Sequence, residues 1–448
     1  MRIHLIAIGG AVMHNLAIVL SRMGNKVTGS DDAINDPAKT NLANEGLLPE
    51  NLGFFAENIS SDIDVVILGM HARSENPELL EAQKLGLKIV SFPEYIFEIS
   101  KNKKRIVVAG SHGKTTVTSM IMHVLKACGM DFDYMVGAKL RGFDTSVKLT
   151  ESAPVIILEG DEYLASPLQR ESKFMFYKPH TALITGIAWD HINVFPVYSD
   201  YVNQFLKFAN SIESNGTLVW CAEDKELQHI STEFKSDLKV KSYSVPPHKI
   251  VNGTTFVSAK NGEVALEIFG KHNLMNMEGA RLVCEDLGIS TAQFYDAIKT
   301  FEGAANRLQL LYKSETKIVY KDFAHSPSKV KATVAAVREQ FPDKTLICVL
   351  ELHTFSSLNE DFLPQYEGAL NAADVPLMFL DKHAFELKKM PMLNEQKVKE
   401  GFKNQAIEIL HTKEELSQKL QLLPKQNVCF LFMSSGTFSG LDLGEIAK

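Results

Sequence analysis

The residues best equipped for chemistry are 109–118, Ala-Gly-Ser-His-Gly-Lys-Thr-Thr-Val-Thr. An apolar β-branched run, Ile106-Val107-Val108-Ala109, leads into them, and Val117, Met120, Ile121, Val124 and Leu125 follow at helical spacing. A strand, a glycine turn and a helix N-terminus make an anion site, because unpaired N–H groups and the helix dipole converge on one point. Gly110 and Gly113 let the main chain approach phosphate, Lys114 can reach the outer phosphates, and Thr115 can hold Mg²⁺. The full Walker pattern has Gly where this chain has Val108, so the loop is a shortened variant. An ordinary strand-to-helix turn is the plainer reading, and the Gly-Lys-Thr-Thr run weighs against it. Lys114 sits on a turn and not on a core face, so its truncation is expected to abolish activity and spare the fold.

Further along, Val155–Glu159 reads as a buried strand ending in carboxylates, with Asp161 and Glu162 next. An acid at a strand tip beside such a loop is where another ligand for the nucleotide's Mg²⁺ is expected. Trp189-Asp190-His191 follows the strand Thr181–Thr185. A lone His reads as a polar strand end; beside Glu159 and Lys114 it becomes a candidate ligand of a second metal. No H-E-x-x-H and no Cys/His cluster occurs, which argues against a tightly held transition metal. Asn273 and Asn276 fall on one helix face, where amides can cap the helix or meet a purine edge. Asp322 and His325 sit just beyond a strand, as a solvated turn or where ligands gather in open α/β sheets.

The elements that must position these groups alternate strand and helix. His4–Ile8 reads as a strand closed by Gly9-Gly10, and Lys26–Asp31 as a second strand ending in an acid. That arrangement is Rossmann-like, yet Gly9-Gly10-Ala11-Val12-Met13 is not G-x-G-x-x-G, so a nucleotide diphosphate is as good a ligand as a dinucleotide. The charged break Lys101–Arg105 ends a first domain, and strands at 318–320, 346–350, 377–380 and 428–433 with a helix at 328–340 build a last one. The chain has 448 residues, enough for about three domains at roughly 150 each. The 45% of hydrophobic residues supports sizeable cores, and a net charge of −7 argues against nucleic acid or an anionic membrane as the main partner. The 5 cysteines form no C-x-x-C pair, which suits a reducing cytoplasm. Neither a signal peptide at Ile3–Ile8 nor a membrane span is expected.

Taken in order, Gly-Ser-His-Gly-Lys-Thr-Thr (110–116), Glu159-Gly-Asp-Glu-Tyr163, Trp189-Asp-His191, Gly270-Lys-His-Asn-Leu-Met-Asn276, Arg307 and Asp322-Phe-Ala-His-Ser-Pro327 resemble the Mur ligase family. The resemblance covers the whole chain. It implies an α/β protein with a Rossmann-like UDP-sugar domain (1–103), a central P-loop ATPase domain (104–308) and a C-terminal Rossmann-like ligase domain (309–448). It also implies ATP and a pair of Mg²⁺ ions. By resemblance, Gly110, Ser111, His112, Gly113, Lys114, Thr115 and Thr116 hold the ATP phosphates; Thr115, Glu159 and His191 hold metal. His272, Asn273 and Asn276 lie near adenine, and Arg307 and Asp322 meet phosphate and ribose. Lys114, His191 and Arg307 are then the catalytic set. Gly9, Gly10, Ser30, Asp31, His71 and Arg73 are candidates for the UDP-sugar, and His325, His353, Thr354 and Ser356 for the amino-substrate.

Within the family, Glu-Gly-Asp-Glu-Tyr (159–163), the run Ser172–Pro179 and the closing Met433–Gly440 look like the recycling branch. That branch attaches a whole murein peptide, L-alanyl-γ-D-glutamyl-meso-diaminopimelate, to UDP-N-acetylmuramate in the cytoplasm through an acyl phosphate. The branch that adds L-alanine alone is the alternative, a folylpolyglutamate-type ligase is more distant, and a nucleotide-dependent switch protein is the non-enzyme reading. The resemblance implies no protein partner. Gln204 and Phe205 occupy the region where other branches use a carbamylated lysine, so none is expected. Relatives carry an Arg within the stretch Glu351–Ser357, which here has His353.

Overall fold

The computed structural model describes every residue except 71, 138, 139, 141, 190–193, 261, 304–306 and 448, together with the side chains of 170 and 447. The chain divides into two compact units, Met1–Val245 with Met275–Ile298, and Pro246–Leu274 with Lys299–Lys448.

Among its described residues the first unit contains two larger sheets and a two-stranded antiparallel one, Leu164–Ser166 with Gln169–Ser172. The N-terminal one is a four-stranded parallel sheet in the order Lys26–Ser30, Arg2–Ile6, Val65–Leu68, Ile89–Ser91. Val65–Leu68 reads as a β-branched apolar run and is buried throughout, as a parallel strand covered on both faces must be. The order reverses between Arg2–Ile6 and Val65–Leu68, so a ligand crevice opens at the carboxyl ends of these strands. The strand expected at 4–8 runs Arg2–Ile6, and the turn that follows contains Ala7 at φ 66.

The second sheet has seven strands: Lys239–Tyr243, Thr217–Cys221, Thr181–Ile184, Lys104–Ala109, Val155–Glu159, Asp133–Met135 and Val147–Lys148, the last antiparallel. Lys104–Ala109 is central, and Ile106, Val107, Val108 and Ala109 have no exposed surface. Val108 therefore belongs to the strand, paired with Glu159 on one side and Leu183 on the other, and the turn begins one residue later. Helix Phe92–Ile99 packs near Lys173–Tyr177: Lys173 Nζ stands 5.6 Å from the Phe92 ring and Gln169 donates to Glu94 at 2.6 Å.

The second unit holds a three-stranded antiparallel sheet (His248–Val251, Thr254–Ala259, Gly262–Leu266) and a six-stranded sheet. The latter runs Gln309–Lys313, Lys317–Asp322, Val428–Met433, Thr345–Glu351, Val375–Phe379, Glu408–Leu410. The small sheet, which the sequence reading did not anticipate, is tied to helix Pro327–Gln340 through Thr255 Oγ1 donating to Gln340 Oε1 at 2.8 Å. Four cysteines, 221, 284, 348 and 429, are buried and Cys128 is half-buried. Among the described residues no helix is long and apolar enough to cross a membrane.

Candidate active site

The carboxyl ends of three adjacent strands of the seven-stranded sheet bring the phosphate loop, Glu159–Glu162 and Thr185–Trp189 to one edge. Gly110 and Gly113 adopt φ +125 and +84, in the left-handed region that side chains resist. Space enforces the same choice. A Cβ on Gly110 would lie 2.1 Å from Thr185 Oγ1, and one on Gly113 would lie 2.6 Å from Asn276 Oδ1. Thr185 Oγ1 donates to His112 O and fastens the loop to the neighbouring strand. Helix Lys114–Ala127 begins at Gly113 without a side-chain cap, leaving its first N–H groups directed at the loop's concavity.

Lys114 Nζ donates to Gly110 O and to Glu162 Oε2, both at 2.7 Å. Burial disfavours this ammonium, but Glu162, Asp161 and Glu159 together outweigh burial and hold it above the ordinary lysine value. Asp161 pairs with Lys173 at 2.6 Å; against burial, Lys173 and Lys114 keep its carboxyl below the usual range. Thr115 Oγ1 donates to Glu159 Oε1 at 2.7 Å, and the Gly137 N–H donates to Glu159 Oε2 at 2.9 Å. A hydroxyl and a carboxylate at a helix N-terminus are hard oxygen donors, the set Mg²⁺ prefers when phosphate supplies the rest of its shell. Among the described residues no group of three or more His, Cys, Asp or Glu forms a metal cage. His191 lies outside the described residues.

In the N-terminal sheet, Gly10 caps helix Ala11–Arg22, and the Gly9 N–H donates to Asp31 Oδ2 at 2.7 Å. Asp31 thus braces the turn, while burial raises its carboxyl. Ser30 is buried and its hydroxyl is spent inside the protein, donating to Glu78 Oε2. Glu78 has no exposed surface and also takes the Phe55 N–H at 3.1 Å and Asn58 Nδ2 at 2.7 Å. Arg73 is exposed on the segment after Val65–Leu68, across the order reversal from Gly9. His71 is outside the described residues.

In the second unit, the His272 imidazole folds against Gly270, and burial lowers it to about 4, so the ring is neutral near pH 7. Asn273 Nδ2 donates to Phe269 O at 3.0 Å. Arg307 lies over the Phe323 ring at 5.0 Å. Asp322 accepts the N–H groups of Leu308 and Ala324, yet burial raises its carboxyl to about 6. His325 Nδ1 is 2.9 Å from Phe323 O. Glu351, 1% exposed, takes the Ser434 hydroxyl and the Phe438 N–H, joining the ends of two adjacent parallel strands. His353 Nδ1 is 3.9 Å from Glu351 Oε1 and, like Ser435 Oγ, is a buried polar atom without a hydrogen-bond partner. Thr354 is half-buried and bonded to Ser357 Oγ at 2.9 Å; Ser356 is exposed.

Asn276 is thus brought against the loop, with Lys114, Thr115 and Glu159 converging at its mouth. Thr185, Tyr201, Glu78 and Glu351 complete these sites, and the sequence reading assigned none of them a role. Glu162 and Glu351 stood inside quoted motifs, whereas a buried Tyr on a helix reads as ordinary core. A cavity of about 760 Å³ lies elsewhere, toward the far end of helix Lys114–Ala127, lined by Arg22, Lys126, Phe132, Tyr134, Phe143 and Lys148 among others. Its cations are engaged, Arg22 with Glu45, Lys126 with Gly142 O and Lys148 with Asp131.

Comparison with known proteins covers nearly the whole chain. Residues 2–104 match the model "Mur ligase family, catalytic domain", 108–284 the "Mur ligase middle domain", and 306–436 the "Mur ligase, glutamate ligase domain". A UDP-N-acetylmuramate--L-alanine ligase of Clostridium kluyveri is 30% identical over 426 residues, 90% of this chain and 89% of that protein. The crystal structure of UDP-N-acetylmuramate:L-alanyl-gamma-D-glutamyl-meso-diaminopimelate ligase from Neisseria meningitides superposes with TM-score 0.61 at 25% identity, covering 67% of this chain and 98% of that one. UDP-N-acetylmuramate-alanine ligase from Thermotoga maritima superposes with TM-score 0.69 over 97% and 96% of the two chains; at 21% identity this likeness speaks to the fold.

Proposed function

The chain belongs to the Mur ligase family of ATP-dependent ligases that form C–N bonds, and from that premise we propose that it joins a murein peptide to the lactyl carboxylate of UDP-N-acetylmuramate. The peptide is L-alanyl-γ-D-glutamyl-meso-diaminopimelate, and the setting is cytoplasmic recycling of cell-wall fragments. The family acts on UDP-sugar and peptide substrates with ATP and Mg²⁺; the pair of metal ions and domain limits at 103 and 308 belong to the proposal.

A carboxylate does not condense with an amine in water. Transfer of the γ-phosphoryl group from ATP converts it to an acyl phosphate and releases ADP; the amine then attacks the carbonyl, and phosphate leaves. Lys114 neutralises charge on the transferring group, which is mainly electrostatic and positional work. Mg²⁺, when bound at Thr115 and Glu159, adds to that neutralisation. With Asp31 bracing the Gly9–Gly10 turn, the uncapped first turn of helix Ala11–Arg22 presents backbone N–H groups to the UDP diphosphate, with Arg73 as a cationic partner. His272, Asn273 and Asn276 serve adenine, Arg307 and Asp322 phosphate and ribose, and His325, His353, Thr354 and Ser356 the incoming peptide.

The observation that carries the ligase chemistry is the convergence of Lys114, Thr115 and Glu159 at one uncapped helix N-terminus. The choice of amine rests on Tyr163 in the Glu-Gly-Asp-Glu-Tyr run and on the closing Met433–Gly440, with the Neisseria likeness in support. The Clostridium relative favours the second reading, addition of L-alanine alone. Competition decides between them: with ATP, Mg²⁺ and UDP-N-acetylmuramate, equal concentrations of tripeptide and L-alanine should give mainly the tripeptide product. Predominance of the L-alanine product replaces this reading with the second one.

A further inference from the structure

Behind the phosphate loop runs a chain of hydrogen bonds that the reaction as described leaves unused. Tyr201, on helix Tyr198–Ala209, has no exposed surface, Glu162 is 1% exposed and Ser111 7%. The Tyr201 hydroxyl donates to Glu162 Oε1 at 3.2 Å. A phenol has one proton, so the 2.9 Å contact between Ser111 Oγ and Tyr201 has Ser111 as donor. The Ala188 N–H in turn donates to Ser111 Oγ at 2.8 Å. Every link therefore points the same way, from Ala188 through Ser111 and Tyr201 to the Glu162 carboxylate, whose other oxygen holds Lys114 at 2.7 Å. Hydrogen bonds aligned in series polarise one another, and the effect is largest out of water.

The chain bears on nucleotide binding because Lys114 is already engaged. When phosphates arrive, the ammonium must share itself with them, and Glu162 must remain a buried carboxylate with less of its counter-ion. A donor aimed at Glu162 Oε1 supports the anion at that moment; without it, Glu162 holds Lys114 harder. We propose that Tyr201 is a positioning residue for the nucleotide, tuning how readily Glu162 releases Lys114 to phosphate, with Ser111 and the Ala188 amide orienting its hydroxyl. This rests on the nucleotide reading of the loop and is independent of which amine is ligated.

The test is Tyr201→Phe, which keeps the ring and its packing on Phe195 and Phe205 and deletes the hydroxyl. The dissociation constant of Mg²⁺ with a non-hydrolysable ATP analogue, measured by calorimetry, should rise about fivefold to twentyfold, with thermal denaturation as the control for folding. In turnover, KM for ATP should rise more than kcat falls. Ser111→Ala cuts the chain one link earlier without altering the ring, and should weaken binding in the same direction. Because the links act as a unit, the double variant should bind about as weakly as the worse single one. An unchanged dissociation constant in folded Tyr201→Phe, or fully additive losses in the double variant, overturns the proposal. A wild-type protein that binds no nucleotide overturns this and the phosphate-loop reading together. The expected pattern in a protein that ligates no peptide upholds the chain and overturns only the amine assignment.

Discussion

Lys114→Ala removes an ammonium 2.7 Å from Glu162 and takes the counter-ion from a carboxylate with 1% of its surface exposed. Seen from the sequence alone, the substitution touches only a turn and spares the fold; the buried pair reverses that expectation. Removing one partner of a buried ion pair costs about 3–5 kcal/mol. The Tyr201 hydroxyl, which donates to the other oxygen of Glu162, offsets part of it, so the destabilisation should be about 2–3 kcal/mol. Trp189 and Trp220 both belong to the first unit, so urea denaturation followed by tryptophan fluorescence reads that unit directly. Adding Glu162→Gln should restore most of the stability while ligation remains reduced by at least ~10²-fold. Equal stability of Lys114→Ala and wild type, or no recovery in the double variant, would refute the reasoning.

Glu159→Gln keeps volume but cannot accept from both Thr115 and Gly137, and it deletes the charge facing the metal; the Mg²⁺ concentration for half-maximal activity should rise about tenfold or more, and an unchanged requirement would remove Glu159 from the metal site. Asp322, raised to about 6 by burial, is protonated in the folded protein and ionised in the unfolded one between about pH 4 and 6. Its contribution to stability is therefore present below that window and lost as pH rises through it, a change of about 3 kcal/mol. Urea denaturation of wild type and Asp322→Asn at pH 4.5 and 7 should show the difference between them shrinking as pH rises, and a constant difference would exclude the titration.

What could be read from sequence was what local periodicity encodes. Val155–Glu159 and Val428–Met433 have the expected limits, and helix Pro327–Gln340 begins one residue early, because Pro fits the first helical turn. The first strand was displaced: Ala7 and Ile8 continue its apolar run, but the chain must turn there for the Gly9 amide to meet Asp31. The sheet at 248–266 was missed because its exposed alternating residues resemble loop. Lys114, Thr115 and Glu159 were legible from motif spacing, whereas their partners were not. That Ser30 turns inward to Glu78, 48 residues away, or that Tyr201 reaches Glu162 depends on tertiary contacts that no local pattern carries.

The cysteines, unremarkable as chemistry, report on unfolding. Cys221 and Cys284 lie in the first unit and Cys348 and Cys429 in the second, all buried, and burial pushes each thiol upward, Cys429 to about 12. The reactive thiolate is therefore suppressed at these positions while the cores stay closed. Half-buried Cys128, at the end of the helix that starts at Lys114, is left as the site that reacts first with an alkylating agent. Later thiol modification must wait for one core or the other to open. Mass spectrometry of the modified peptides would thus time the opening of each unit separately, in the unmodified natural sequence and with no engineered label.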